Sequence, residues 1–237
     1  MEKVIILAGG LGSRLGLETE KIPKPMVEIG GIPILVHIMK IYSYYGYTEF
    51  ILALGYKADL IRNFFSAYQI DADWKINCID TGLNTQTGGR IKHAMEFTGN
   101  SRVMATYGDG LANIDISKLM YFHKKHNKLA TVTAVRPPAR FGRLDIKDDM
   151  VIHFAEKPQA AEGWINGGYF VLEPGVKDYI ADDKMAFENL PLSNLVKEKQ
   201  LACYKHHSFW KPMDTIREKK ELNELWESSN VPWKIWQ

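Results

Sequence analysis

The sequence predicts an α/β fold built on an open, mostly parallel sheet with helices on both faces, and three observations support this. The chain opens on a continuous apolar run, Val4 to Ala8, the pattern of a strand covered on both sides. That run empties directly into Gly9-Gly10, a glycine-rich exit at a strand's C-terminal end. Strand-like runs then alternate with helical stripes about ten residues long, the rhythm of crossover units. With 237 residues, 46% of them apolar, the chain can bury a sizeable core.

From Pro33 the period turns helical: Ile34, Ile38, Ile41 and Tyr45 share one stripe, Pro33 suits the first turn, and Gly46 ends it. Phe50 to Leu54 reads as the second strand. Leu60, Ile61, Phe64, Phe65 and Tyr68 recur at helical spacing, Trp74 to Ile79 alternates as a strand, and Ile91 to Phe97 is a short helix. Arg102 to Tyr107 makes a fourth strand, and Ile116 to His126 a helix. Ala130 to Val135, Arg143 to Ile146, Val151 to Ala155 and Ile165 to Leu172 follow as closely spaced strands, which predicts a mixed or antiparallel second half. Leu190 to Lys199 and Ile216 to Trp226 are helical by spacing, with Leu201 to Lys205 a strand between them. No linker, repeat or charge block interrupts residues 1–237, so one domain with two lobes meeting near residue 130 is expected.

Thirty Lys plus Arg against 28 Asp plus Glu leaves +2, too little for a domain-wide field that would hold a nucleic-acid backbone or an anionic membrane. The run His123-Lys124-Lys125-His126-Asn127-Lys128 closes a helix and reads as a solvated face that suits the helix dipole rather than a binding patch. Cys78 and Cys203, without C-x-x-C spacing, suit a reducing cytoplasm and predict neither a disulfide nor a structural zinc. The first apolar run is too short for a signal peptide, and none approaches the ~20 residues of a membrane span.

Six constellations carry chemistry. In Leu7-Ala8-Gly9-Gly10-Leu11-Gly12-Ser13-Arg14-Leu15 the glycines expose backbone N–H groups that can cradle phosphates, and Arg14 adds a forked cation. The spacing is neither G-x-G-x-x-G nor the P-loop, and a tight turn with a surface arginine fits it equally well. Pro23-Lys24-Pro25 stiffens the backbone around one lysine and aims its ammonium, although by itself it reads more simply as a surface turn with a solvated lysine. Asp109, in Tyr107-Gly108-Asp109-Gly110, sits just past a strand in the crevice region of such sheets. In Trp210-Lys211-Pro212-Met213-Asp214-Thr215, Thr215 and Glu218 have capping-box spacing, which leaves Asp214 without an obvious structural task. Asp109 and Asp214 together suit Mg²⁺ bound to nucleotide phosphates. Glu156-Lys157-Pro158 offers a hydroxyl acceptor beside a phosphate partner, or simply an exposed ion pair. Asn166-Gly167-Gly168-Tyr169 suits sugar hydroxyls or a β-bulge. His206-His207 lacks a metal-ligand set.

In this order the motifs resemble the sugar-1-phosphate nucleotidyltransferases, over nearly the whole chain. Pro25-Met26-Val27-Glu28-Ile29-Gly30-Gly31, Asp80-Thr81-Gly82, Thr87-Gly88-Gly89-Arg90, Phe141-Gly142, Pro212-Met213-Asp214-Thr215, Trp226 and Pro232-Trp233-Lys234 are most similar to the glucose-1-phosphate cytidylyltransferase group. The resemblance implies a Rossmann-like nucleotidyltransferase fold, with a nucleotide-binding lobe over about 1–130 and a sugar-binding lobe with C-terminal helices over about 131–237. It implies the reaction of CTP with α-D-glucose 1-phosphate to give CDP-glucose and pyrophosphate for cell-surface deoxysugar synthesis, with Mg²⁺ as cofactor, in a cytoplasmic homo-oligomer. Carried over residue by residue, Arg14, Lys24 and Lys157 are the catalytic cations, and Asp109 and Asp214 hold the metal. Leu7, Ala8, Gly9, Gly10, Gly12, Ser13, Arg14 and Asp109 bind the nucleotide, with Thr81, Gly88, Gly89 and Arg90 around the base. Gly142, Glu156, Lys157 and Asn166 bind the sugar. Arg90 is expected to donate to the pyrimidine carbonyl oxygen, or otherwise to be an exposed residue at a helix start. The chain departs from the group in the short stretch before Asp80 and in Ile22, where the group tends to carry a further lysine. Another sugar 1-phosphate, such as a heptose, or UTP are the nearest alternatives. A glycosyltransferase is disfavoured, because Leu111 follows Gly110 where the D-x-D donor motif has its second acid. A non-catalytic nucleotide-sugar sensor is disfavoured by the intact charged set.

Overall fold

The computed structural model describes residues 2–67, 73–137, 143–147, 149–155 and 163–236. Strand β1 (Lys3–Ala8) leads into a 3-10 turn at Ser13–Leu15, helix α1 (Leu17–Lys21), a second 3-10 turn at Lys24–Met26, and a tight hairpin of β2 (Glu28–Ile29) and β3 (Ile32–Pro33). There follow α2 (Ile34–Tyr44), β4 (Glu49–Leu54), α3 (Ala58–Ala67), β5 (Lys75–Asp80), α4 (Thr87–Glu96), β6 (Val103–Tyr107), β7 (Gly110–Ala112), α5 (Ile116–His126) and β8 (Ala130–Val135). After these come β9 (Arg143–Lys147), β10 (Met150–Ala155), β11 (Ile165–Leu172), a 3-10 segment at Pro174–Tyr179, α6 (Leu190–Lys197), β12 (Leu201–Lys205), β13 (Trp210–Pro212) and α7 (Ile216–Glu227).

Seven strands drawn from both halves of the chain form one sheet in the order β12-β8-β11-β6-β1-β4-β5. Six run the same way, and only β11 is antiparallel to its neighbours. The mixed second half is therefore more parallel than its close strand spacing suggests, since β9 and β10 pair as a hairpin of their own. Alternate residues serve two cores. Val4, Ile6, Phe50, Leu52 and Met104 pack with Ile38 of α2 and Leu119 of α5. Ile5, Ile51, Val103 and Ala105 pack with Ile91 of α4 and Leu195 of α6. A strand buried on both faces has no polar alternation, which is why Val4 to Ala8 reads as an unbroken apolar run.

Three details differ from the sequence reading. Helix α4 begins at Thr87, four residues before Ile91, because Gly88 and Gly89 lower helix propensity without preventing a first turn held by tertiary packing. Pro33 lies at the N-cap of α2 rather than in its first turn. His123, expected on a solvated face, is buried, with Nδ1 on Thr131 Oγ1 (2.8 Å) and Nε2 on Glu173 (3.1 Å). Tyr68 lies outside the described residues. The cysteines are free thiols on the two opposite edge strands, β5 and β12, as expected of a chain without a disulfide. Among the described residues no helix is long and apolar enough to cross a membrane.

The C-terminal segment closes over α2. Trp226 and Trp233 stack at 6.3 Å, and the His37 ring meets Trp226 edge-on at 4.8 Å. His37 Nε2 donates to Ile29 O (2.9 Å) while Nδ1 accepts from Trp233 Nε1 (3.4 Å), an arrangement that needs the neutral ring. Burial pushes its pKa down from 6.5 to about 4. Protonation then favours the unfolded chain: the stability from a neutral His37 is complete above pH 6.5 and is lost as pH falls toward 4. Urea unfolding should show this group removing on the order of 2–3 kcal/mol between pH 7 and 4.5. The loss should be absent in His37→Gln, which keeps a donor and an acceptor but cannot titrate; an unchanged pH dependence in that variant would refute the assignment.

Candidate active site

The chain winds from β1 outward through β4 to β5, then returns to the other side of β1 as β6, so the sheet reverses its order between β1 and β6. Crevices of open α/β sheets lie beyond the strand ends at such a reversal. A cavity of about 550 Å³ opens there, lined by Leu7, Gly9, Gly10, Gly12 and Arg14, by Lys24 and Pro25, by residues 83–87 and Arg90, and by Tyr107, Gly108 and Asp109. A second cavity of about 300 Å³ adjoins it, lined by Asn166, Gly167, Gly168, Tyr169, Trp210 and Asp214 among others. Arg14, Tyr107 and Asp109 line both.

Asp109 and Asp214 are 105 positions apart in the chain and are brought together by a short ladder. Strand β7 pairs antiparallel with β13, with Gly110 opposite Pro212, and Met213 N donates to Asp109 O (2.8 Å). Thr215 and Glu218 form the expected capping box, whose Glu218 carboxylate also accepts from Asp214 N (2.7 Å). The Asp214 side chain is thus free for the site. Lys24 Nζ donates to Asp109 Oδ2 (2.5 Å) and Asp214 Oδ1 (2.6 Å), and Arg14 Nη1 donates to Asp214 Oδ2 (2.9 Å). Lys24 is only 8% exposed. Its stem packs under Gly12, whose φ of +64° and 2.9 Å Cβ distance to Lys24 leave no room for a side chain. Arg14, with 72% of its side chain exposed, keeps freedom to move. Two carboxylates converging on one cation position fit Mg²⁺, which takes one or two protein carboxylates and completes its shell with phosphates and water. Among the described residues no group of three or more His, Cys, Asp or Glu offers an all-protein metal cage.

The base-side residues are arranged differently from expectation. Arg90 is neither at an exposed helix start nor free for a ligand on its terminal nitrogens. It is 4% exposed, Nη1 donates to Leu54 O (2.8 Å) and Thr81 Oγ1 (2.6 Å), and Nη2 donates to Gly9 O (3.0 Å) and Leu83 O (3.3 Å). One guanidinium therefore ties together the exits of β1, β4 and β5. Burial lowers its pKa, against the opposing pull of Asp80 and Asp183. Thr81 is buried and bonded to Leu54 O (2.6 Å), behind the cavity wall rather than in it. Gly88 and Gly89 do not line the cavity either. A Cβ on Gly88 would meet Met185 O at 2.5 Å, and one on Gly89 would meet Asp183 Cα at 2.8 Å, so their bareness admits the 183–185 backbone. The cavity wall on this side is instead made by Leu83, Asn84, Thr85, Gln86 and Thr87. Ala8 is buried at the strand end, and the Ser13 side chain is outside the described set.

In the second cavity, Asn166 Nδ2 donates to Tyr107 Oη (3.1 Å), and its Oδ1 accepts from Gly168 N (2.8 Å). Tyr107 Oη donates in turn to Glu188, whose other oxygen accepts from Thr87 Oγ1 (2.6 Å). Burial, then the Glu188 charge, drives the Tyr107 pKa well up, so the phenol stays protonated. Glu188 went unread in the sequence because it lies in an irregular stretch before α6, where no periodicity marks it. Trp210, anchored through Nε1 to Gly167 O (2.8 Å), was visible only as a neighbour of Asp214. Gly142, Glu156 and Lys157 lie outside the described residues. Ile22 packs against the apolar core, which gives its position a structural use.

Gly88→Ala should cost about 1–3 kcal/mol from overpacking, read as a lowered melting temperature. Gly10→Ala, where a Cβ meets nothing within 4 Å, is the control; equal melting temperatures would mean that the 183–185 backbone yields.

Comparison with known proteins agrees with this geometry. The nucleotidyl transferase family model matches residues 3–218. The chain is 44% identical, over 99% of its length and 100% of the relative, to the glucose-1-phosphate cytidylyltransferase of Salmonella typhimurium. It is 42% identical, with 99% and 100% covered, to the probable glucose-1-phosphate cytidylyltransferase of Bacillus subtilis. A solved UDP-glucose pyrophosphorylase shares the fold at a TM-score of 0.76 and 14% identity, covering 95% of this chain and 98% of that one. With a family match over nearly its whole length and the glycine loop, paired aspartates and central lysine gathered at one strand end, the chain belongs to the nucleotidyl transferase family.

Proposed function

We propose that the protein transfers the cytidylyl group of CTP to α-D-glucose 1-phosphate, releasing pyrophosphate and forming CDP-glucose, in the cytoplasm. The observation that carries the reading is the meeting of two cavities at Arg14, Tyr107 and Asp109, where a nucleotide α-phosphorus and a sugar phosphate oxygen would face each other. The full-length likeness to the Salmonella and Bacillus proteins supports CTP and glucose 1-phosphate as the pair. Residues up to about 130 form the nucleotide lobe and the remainder the sugar lobe, which lends Asp214 back to the junction.

No general base is required, because the attacking phosphate oxygen is already anionic at neutral pH. The protein must offset repulsion between two anions and hold attacking oxygen, phosphorus and leaving group in line. Loop amides of Gly9 to Gly12 cradle the triphosphate. Arg14 and Lys24 reach the phosphates from the loop side, and Lys157, on the strength of the family resemblance, is a further phosphate cation. Asp109 and Asp214 would hold Mg²⁺, which would supply Lewis-acid charge neutralisation. Gly142, Glu156 and Asn166 orient the sugar. The 83–87 wall reads the base, and Arg90 holds that wall to the glycine loop.

Release of pyrophosphate across four nucleoside triphosphates and several sugar 1-phosphates tests the reading. CTP with glucose 1-phosphate should lead, and a better heptose phosphate or UTP rate would reassign the substrates. A backbone acceptor for the cytosine amino group, left unpaired by UTP at about 1–3 kcal/mol, gives a preference for CTP of about 5- to 150-fold. Arg90→Ala should raise the nucleotide KM more than it lowers kcat, since the wall lies away from the reacting phosphorus; an unchanged KM would remove Arg90 from nucleotide binding.

Asp109→Asn and Asp214→Asn should each lower kcat by about 10²-fold or more while the melting temperature moves little, since the helix cap is Thr215. Parallel loss of stability and activity would make the pair structural. Chelator should abolish turnover and magnesium restore it, and turnover indifferent to chelator would exclude the metal.

A further inference from the structure

We infer that Lys24 and the divalent cation are alternative partners of Asp109 and Asp214, so that the ammonium stands in for the metal and is released toward the phosphates when metal and nucleotide arrive together. The inference rests on the reading of the two aspartates as metal ligands. Lys24 Nζ lies 2.5 Å from Asp109 Oδ2 and 2.6 Å from Asp214 Oδ1, bonded to both carboxylates at once. An ion about 2.0–2.1 Å from the same oxygens would stand against the ammonium, where repulsion between like charges is strong. Arg14 Nη1 already takes Asp214 Oδ2 (2.9 Å), so the two oxygens that face Lys24 serve either the ammonium or the metal ion.

Where the displaced ammonium can go is limited by its stem. Lys24 is held between Pro23 and Pro25 and packed beneath Gly12, so only the end of the side chain can pivot. Within its reach is the cavity wall it shares with the glycine loop, where the triphosphate is proposed to lie. Metal alone must expel a largely buried ammonium that then has no anion to meet. Metal with a nucleotide replaces the two carboxylates by phosphate oxygens as the partners of Lys24, and the exchange is nearly balanced. Metal and nucleotide therefore bind with positive coupling, and Lys24 is the element that carries it.

The test uses Mn²⁺ as probe, with free ion counted by electron paramagnetic resonance, on the full chain with and without the α,β-methylene analogue of CTP. Without nucleotide, Lys24→Met should bind Mn²⁺ more tightly than wild type by on the order of 5- to 150-fold; with the analogue the two should converge. Melting curves report whether the variant is folded, and Lys24→Gln repeats the comparison with a polar end. Equal Mn²⁺ affinity of wild type and both lysine variants, with Asp214→Asn weaker, overturns the competition but keeps the metal site. Mn²⁺ binding unaffected by Asp214→Asn overturns the metal reading and the inference with it.

Discussion

The pairing of β7 with β13 is the constraint on which the site depends. Three residues of ladder and the Met213 N to Asp109 O bond bring a carboxylate from the C-terminal part of the chain against one at the end of β6. Such a short ladder contributes little stability by itself, and its neighbours hold it: Trp210 is bonded to Gly167, and α7 starts on a complete capping box. Asp109 and Asp214 can then share one cation. Without the ladder, the carboxylates would have no common geometry.

Two cations organise the cavity around that junction in different ways. Arg90 is buried among carbonyl and hydroxyl oxygens and ties three strand exits into one wall, so the cavity's shape is set before a ligand enters. Its four bonds offset the removal of a charge from water, and among the described residues no carboxylate forms an ion pair with it. Lys24 meets two carboxylates in the cavity itself, where solvent and ligand reach its partners, so its bonds can be exchanged. A fixed cation that shapes the wall and an exchangeable one that works in the cavity divide two tasks that a single residue could not combine.

The Tyr107–Glu188–Thr87 chain links the two cavities. Asn166, in the smaller cavity, bonds to Tyr107, and through Glu188 the contact reaches the start of α4 beside the 83–87 wall. The connection consists of three side chains, with the exposed Glu188 on the irregular stretch before α6 as its middle member.

What the sequence determined by itself follows from periodicity and local chemistry. Val4 to Ala8, Ala130 to Val135 and Leu201 to Lys205 are strands because a continuous apolar or β-branched run has few other uses, and Ile116 to His126 is a helix over the residues its stripe marks. The glycine loop, Lys24, Asp109 and the capping box around Asp214 were legible because each sits in a short motif whose chemistry is local. The tertiary structure alone decided what depends on which distant segments meet. Gly88 and Gly89 looked like a ligand-facing pair and instead make room for the 183–185 backbone. Arg90 looked like a ligand donor or a surface residue and instead holds carbonyls from three loops. Glu188 carried no signal at all. In each case at least one partner lies 36 to 101 positions away in the chain, and no spacing rule within a single element encodes that approach.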